Sequence, residues 1–255
     1  MRTLVTLVGT VTGSMLVAVA GLWITRQLIP PEVLRANNEV CGNYLQTVGT
    51  IYAVLLAFVV FEVWTQQNEA WRFIEQQADE LTDVVRIAGS LGEPARSAIR
   101  AVARDYLREV IEQEWLLMAR GQASARATQL VDQLWRALAV IEPQTPREQT
   151  LYAEAVSRFN DFGDARTDLL QNSRMHLPTT LWLLLITGAL SNVGSMYLFG
   201  LDEFWCLALM TASLAGAISF VLFLIYDLDN SFSGDWQVRP DPLQQALARI
   251  ETADD

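Results

Sequence analysis

Long uninterrupted runs of apolar residues alternate with charged sequence along this chain. Four of the runs are long enough for a helix to cross about 30 Å of hydrocarbon, which takes roughly 20 residues. They occupy residues 3–25, 43–64, 179–199 and 204–226. The first run is longer than the apolar core of a secretory signal peptide and is followed by Arg26, so we expect it to be retained. The pattern therefore predicts four transmembrane helices.

The segment between the second and third runs has apolar positions at helical spacing. From Trp71 to Ala88 these positions alternate in steps of three and four, as a packed helical seam requires. Trp64 stands one heptad before Trp71, so the seam is expected to continue back into the second membrane helix. Further helices are predicted from about Pro94, Ser124 and Pro146. Residues 65–176 thus predict a helical bundle.

Arginine placement predicts the orientation of the chain in the membrane. If the N-terminus is cytoplasmic, 16 of the 18 basic residues lie inside and only Arg26 and Arg35 lie outside, as the positive-inside rule favours. The expected fold class is all-α, with the bundle inserted between the second and third transmembrane helices. The expected domains are 1–64 (first two transmembrane helices), 65–176 (cytoplasmic bundle), 177–226 (last two transmembrane helices) and 227–255 (cytoplasmic C-terminal tail).

Charge and motif content exclude several classes of function. The net charge of −11 argues against a nucleic-acid partner, whose phosphates require a basic surface. The single histidine, His176, lies at a membrane edge, and the sequence has no phosphate-binding loop, zinc-hydrolase motif or CxxC pair. We therefore expect neither an enzyme nor a bound cofactor.

One stripe along the second membrane helix has the order of residues that suits a pore wall. It consists of Thr47, Thr50, Val54, Phe58, Phe61 and Glu62. A threonine rim, an apolar constriction and an acidic mouth would then surround a symmetry axis. The alternative is that Val54 and Phe58 face lipid or a neighbouring helix. Glu62 leaves two alternatives open as well, because its carboxylate could line the pore or extend to the headgroups.

Three other groups of residues are weaker candidates for a role. Cys41 and Cys206 both lie at external helix ends, where the compartment permits a disulfide. A hard-cation site is considered after the fourth helix, with the candidates Asp227, Asp229 and Asp235, but the spacing fails the EF-hand pattern and favours capping turns instead. The small and amide residues of the third membrane helix, Gly188, Ser191, Asn192, Gly194 and Ser195, favour close helix packing.

Three stretches of sequence resemble a known family. They are GTIYAVLLAFVVFEVW at 49–64, DYLREVIEQEW at 105–115 and LDNSFSGDWQV at 228–238. These stretches, and the order of the helices, are similar to the bestrophin-like membrane proteins of unknown function. In the last stretch Ser231 replaces the family's proline, so a rigid turn is not implied there.

A more distant likeness extends to bestrophins, which are pentameric channels whose second helix lines the pore. Leu56-Ala57-Phe58 resembles the Leu-Gly-Phe step of the bacterial neck, which implies neck positions at Thr50, Val54 and Phe58. The acidic calcium clasp of the animal channels has no counterpart, so calcium gating is not implied.

The leading hypothesis is a homo-oligomeric, pentameric ion channel of the bacterial inner membrane, with lipid and an inorganic ion as its other partners. The family likeness weakly favours anions, whereas Glu62 and the net charge favour cations. The alternative hypothesis is a non-conducting scaffold or accessory subunit of a larger membrane complex. Its candidate contact residues are the tryptophans Trp71, Trp115, Trp135 and Trp236, since aromatic side chains are enriched at interface cores.

Overall fold

A computed structural model describes residues 2–252, and within that range the chain forms helices and no strands. In chain order the α-helices are α1 (Arg2–Leu28), α2 (Pro31–Arg35), α3 (Asn38–Ala88), α4 (Ala95–Glu109), α5 (Trp115–Met118), α6 (Ala125–Ala139), α7 (Pro146–Asn172), α8 (Thr179–Met196), α9 (Phe204–Leu228) and α10 (Asp241–Thr252). A π-helix, Val110–Glu114, joins α4 to α5. The prediction of an all-helical fold is confirmed.

Four of these helices, α1, α3, α8 and α9, are long and apolar enough to cross a membrane. The longest is α3, whose 51 residues extend for about 77 Å at 1.5 Å per residue. That length is about two and a half times the hydrocarbon thickness of about 30 Å. The apolar run that ends at Trp64 is therefore one part of a single helix that continues into charged sequence.

The seam predicted along α3 is correct over its second half and wrong at Trp64. The predicted positions from Ile74 to Ala88 are buried. Trp64, however, is 47% exposed, while its neighbour Val63 is fully buried. One residue is a rotation of about 100° around a helix. The inward face of α3 near the end of the apolar run is therefore the face of Val63.

Contacts divide the chain into two compact units. Unit 1 comprises the chain up to Trp64 together with His176–Asp229, and α1 packs along α9 within it. Small residues permit close approaches in this unit, because a Cβ atom at Gly21 would lie 2.6 Å from the hydroxyl of Tyr197. A Cβ atom at Gly216 would similarly lie 3.1 Å from the sulfur of Met15.

The loop between α8 and α9 in unit 1 is held by two arginines. Arg26 donates hydrogen bonds to the carbonyl oxygens of Phe199 (3.2 Å) and Leu201 (2.7 Å). Arg35 forms an ion pair with Asp202. Between α1 and α3 lies the short helix α2, which begins at Pro31 because proline suits a first helical turn.

Unit 2 comprises Thr65–Met175 and the chain from Asn230. Its core is formed by α3, α4, α6, α7 and α10 and contains the buried residues Leu81, Ile99, Leu107, Leu134, Leu138 and Phe162, among others. The predicted helix starts are correct at α6, where the Ser124 side chain accepts from Ala127 N, and at α7, where Thr145 and Glu148 form a capping box.

The segment after Asn230, which was predicted only as a C-terminal tail, contains the helix α10. Helix α10 buries Leu243, Ala246 and Ile250 in the core of unit 2. These residues are three and four positions apart, which is the spacing of one helix face. The sequence itself therefore carries the signal of this helix.

Candidate functional site

The stripe predicted to line a pore lies on the exposed face of α3 in unit 1. Val54, Phe58 and Phe61 are 51%, 70% and 68% exposed, and Thr47, Thr50 and Glu62 are also exposed. On the other side of the same helix, Tyr52 and Val59 are buried. Large apolar side chains that the protomer leaves uncovered face lipid, another copy or a pore.

The two threonines of the stripe satisfy their own donors. The hydroxyl of Thr47 donates to the carbonyl oxygen of Asn43 (2.9 Å), and that of Thr50 donates to the carbonyl oxygen of Gln46 (2.7 Å). A hydroxyl oxygen keeps acceptor lone pairs after it has donated its proton. Both side chains can therefore present an oxygen acceptor to water or to a cation.

Glu62 provides the only carboxylate of the stripe. Within residues 2–252 its side chain forms no ion pair and no hydrogen bond with another residue. It follows Phe58 by one helical turn, so an apolar position and a charged position succeed one another on this face.

The buried face of α3 is fixed by α8. The Tyr52 hydroxyl donates to the carbonyl oxygen of Leu185 (3.0 Å), and a Cβ atom at Gly188 would lie 2.5 Å from the Tyr52 ring. One turn further along, Asn192 Oδ1 would lie 3.2 Å from a Cβ atom at Gly49. Gly188 and Asn192 thus serve in close packing, as expected from the sequence, whereas a Cβ atom at Gly194 would meet nothing within 4 Å. The contacts of Gly188 and Asn192 set the rotation of α3.

The sequence itself decides the family. The sequence model of the Bestrophin-like domain matches residues 12–243, which is most of the chain. The chain belongs to the bestrophin-like family. The resemblance inferred from three short stretches is therefore confirmed. Its apolar helices and its family identify it as a membrane protein. No curated protein matches the sequence.

Two solved structures share the fold of this bestrophin-like protein. One is a bacterial bestrophin homologue from Klebsiella pneumoniae that carries one substitution, with 12% identity, a TM-score of 0.70 and coverage of 95% of this chain and 96% of that one. The other is a variant of a membrane protein, with 15% identity, a TM-score of 0.63 and the same coverage. At such identities the likeness concerns the path of the backbone.

The bestrophin-like protein also has a buried ionic network in unit 2 that sequence reasoning missed. The guanidinium of Arg166 donates to both carboxylate oxygens of Glu114 and to the hydroxyl of Tyr106. The π-helix contributes to this arrangement, because Trp115 N donates to the carbonyl oxygen of Val110, five residues earlier. The extra residue in that turn places Glu114 on the buried side. No simple spacing in the sequence signals such a turn.

Burial and charge interactions shift the titration of this network. Burial raises the pKa of Tyr106, and the neighbouring cation of Arg166 offsets part of that increase. Burial alone would lower the pKa of Arg166, but its hydrogen bonds and charge interactions with Tyr106 and Glu114 raise that pKa above its ordinary value. Arg166 is therefore the cation of this network.

The two cysteines and the aspartates after the fourth long apolar helix were also candidates for a functional role. Cys41 is half-buried, Cys206 is exposed, and neither thiol is bonded in the structure, so their pairing stays a prediction. Asp229 Oδ1 accepts from Leu177 N (2.7 Å), and the Asp229 carbonyl oxygen accepts from His176 Nδ1 (2.9 Å).

The next residue, Asn230, accepts from Phe232 N (3.0 Å) in an Asx turn. Asp227 is buried and Asp235 is exposed. In the described part of the chain, no three His, Cys, Asp or Glu side chains are grouped so as to hold a metal ion.

Proposed function

We propose that this protein is a homo-oligomeric ion channel whose pore is lined by the exposed stripe of α3. One observation supports this more than any other: α8 fixes the buried face of α3, and the opposite face presents threonine, apolar and acidic positions in sequence. A helix that serves only as an anchor needs apolar residues alone. An ordered, uncovered stripe of this kind suits a helix that repeats around an axis.

The stoichiometry and location are further parts of the proposal. The family relation supports a pentamer in the bacterial inner membrane. The distribution of arginines supports cytoplasmic N- and C-termini and a cytoplasmic bundle at residues 65–176. Its partners are then other copies of the chain, lipid and a permeant inorganic ion.

The family relation and the charge of Glu62 favour opposite charge selectivities. The relation to bestrophins favours anions, and we retain that preference. A ring of unpaired Glu62 carboxylates would instead attract cations. Reversal potentials across a KCl gradient separate the two, because the sign of the potential reports which ion carries the current.

Ion flux into liposomes that contain the purified protein tests the proposal. Phe58→Ala should increase flux by widening the apolar constriction, and Glu62→Gln should change the ratio of anion to cation flux. Phe220→Ala on α9 is the matched control, since Phe220 is also exposed but lies outside the stripe. A well-folded oligomer without flux would overturn the proposal. So would flux that neither stripe variant changes.

A non-conducting scaffold is the second candidate function. Its support is the exposure of Trp135 (41%) and Trp236 (54%), which are large aromatic side chains at the surface of unit 2. Trp115, by contrast, is buried and Trp71 is half-buried, so both serve mainly as core residues. Purification from native membranes distinguishes the candidates: foreign subunits at fixed stoichiometry support a scaffold, and a homo-oligomer supports a channel.

A further inference from the structure

Helix α4 has a row of four arginines at intervals of four residues, Arg96, Arg100, Arg104 and Arg108. Residues four apart are neighbours on a helix surface, about 6 Å apart along the axis. This arginine ridge is unusual in a chain with 29 acidic and 18 basic residues.

Two members of the arginine ridge, Arg96 and Arg104, have no carboxylate partner among residues 2–252. Arg108 forms an ion pair with Glu251 of α10 (2.6 Å). Arg96 is exposed and Arg104 is half-buried, and neither has an ion-pair partner within residues 2–252. In addition, Arg104 Nε is buried and has no hydrogen-bond acceptor there. An anionic group from outside residues 2–252 would stabilise the Arg104 cation.

Helix α7 has an acidic face, whose charge is opposite to that of the arginine ridge. Asp161, Asp164 and Asp168 are spaced by three and four residues, and the last two are exposed. Within the described chain none of the three forms an ion pair. Earlier on the same helix, by contrast, Arg158 pairs with both Glu154 and Glu80. Within residues 2–252 the acidic face is therefore uncompensated, although Arg158 and Arg166 of the same helix both have carboxylate partners.

The arginine ridge and the acidic face do not compensate one another within one copy. Helices α4 and α7 approach each other through Tyr106 and Phe162, whose rings lie 5.2 Å apart, and through the bond from Arg166 to Tyr106. Arg104 and Asp164 are each two residues away from these contact residues, so they lie on the far sides of their helices. Contact between them therefore requires a second copy of the chain.

We propose that the arginine ridge of one copy binds the acidic face of the next copy. This inference rests on the proposed homo-oligomer. An interface between two different patches is head-to-tail, and repetition of such an interface closes into a ring when the rotation permits. The spacing along the two helices is similar, at about 6 Å for the arginines and about 4.5 to 6 Å for the aspartates. Ion pairs between copies at the rim of an interface are weakened by salt.

Charge reversal tests this inference in the full-length protein. Arg96→Glu with Arg104→Glu, and separately Asp164→Arg with Asp168→Arg, should each raise the protein concentration at half-assembly by on the order of tenfold. The chain that carries all four substitutions should assemble close to wild type. Native mass spectrometry in detergent at several salt concentrations measures assembly, and circular dichroism verifies that each variant retains its helical content. Arg126→Glu with Arg147→Glu, two exposed arginines away from the ridge, is the control and should change nothing.

Three results would overturn the inference. The first is wild-type assembly by both reversed variants, and the second is failure of the fourfold variant to recover. The third concerns the chain's own acidic end: the arginine reversal should still weaken assembly in a chain carrying Asp254→Asn and Asp255→Asn. If the arginine reversal did not weaken assembly in that chain, the ridge would instead pair with the acidic end of the chain.

Flux measurements keep this inference distinct from the proposed function. If the wild-type oligomer conducts ions but the charge reversals do not change its assembly, the proposed interface is wrong and the proposed channel still holds. A wild-type protein that stays monomeric and does not conduct removes both.

Discussion

The guanidinium of Arg166 and the carboxylate of Glu114 form a bidentate pair in the core of unit 2, with Nη1–Oε2 at 2.6 Å and Nη2–Oε1 at 2.8 Å. Their side chains are 8% and 1% exposed. Ser124 N donates a further hydrogen bond to Glu114 (2.8 Å), and the Tyr106 hydroxyl accepts one from Arg166 (2.9 Å). The pair thereby connects α4, the π-helix, α6 and α7, and each buried charge has a partner.

Removal of one member of this pair should be costly. We expect Glu114→Leu to lower the free energy of unfolding by about 3–5 kcal/mol, because the guanidinium of Arg166 remains buried without its counter-charge. Glu114→Leu combined with Arg166→Met should lose far less, since neither charge then remains. Unfolding in denaturant, followed by circular dichroism, measures both.

Asp83 and Arg86 provide the control for that comparison. They form an ion pair of 2.9 Å in which Arg86 is 74% exposed. Asp83→Asn should change stability by less than about 1 kcal/mol, because solvent screens an exposed pair. An additive loss in the Glu114 and Arg166 double variant would contradict the explanation based on an unpaired buried charge.

Alkaline pH should destabilise unit 2 through Tyr106. Burial raises the pKa of Tyr106 above the ordinary value of about 10. The folded state therefore keeps the phenol protonated at pH values where the unfolded chain has released the proton. The contribution of Tyr106 to stability is complete below pH about 10 and decreases as pH rises from there towards the pKa of the folded state. Melting temperatures between pH 8 and 11 should fall less steeply for Tyr106→Phe, and parallel curves would contradict the prediction.

The buried side chain of Gln77 should lower the stability of the protein, and one substitution should remove that cost. It is fully buried on α3, and neither its amide oxygen nor its amide nitrogen has a hydrogen-bond partner in the described structure. We expect Gln77→Leu to raise the free energy of unfolding by about 1–3 kcal/mol, because an unsatisfied buried amide costs that much. Gln76→Leu is the control, since Gln76 is exposed and should stay within about 0.5 kcal/mol. Equal changes in the free energy of unfolding for the two variants would contradict an energetic cost of the buried Gln77 amide.

The contact between α3 and α8 should not tolerate a methyl group at Gly188. A Cβ atom there would lie 2.5 Å from the ring of Tyr52, so Gly188→Ala should cost about 1–3 kcal/mol by overpacking. Gly194→Ala on the same helix meets nothing within 4 Å and should be neutral or slightly stabilising. Thermal melts of the purified protein in detergent compare the two. Equal melting temperatures would show that Tyr52 moves aside without loss.

The elements that the sequence predicted best depend on local patterns. Apolar runs indicate membrane-crossing helices because their length must match the hydrocarbon thickness. The starts of α6 and α7 were readable because Ser124 and Thr145 act on backbone groups only three residues away. The period of 3.6 residues likewise predicted the buried positions from Ile74 to Ala88.

Which neighbours each helix face meets depends on packing between elements. The π-helix that buries Glu114, the burial of Gln77 and the choice of Val63 over Trp64 each depend on partners far away in the sequence. The exposure of the α3 stripe follows in the same way, because α8 covers the face with Tyr52 and leaves the face with Phe58 open. Helices, their lengths and their apolar content follow from local sequence, since these arise from interactions along the chain. Packing assigned each face its environment, because burial is a property of contacts between elements and not of one element alone.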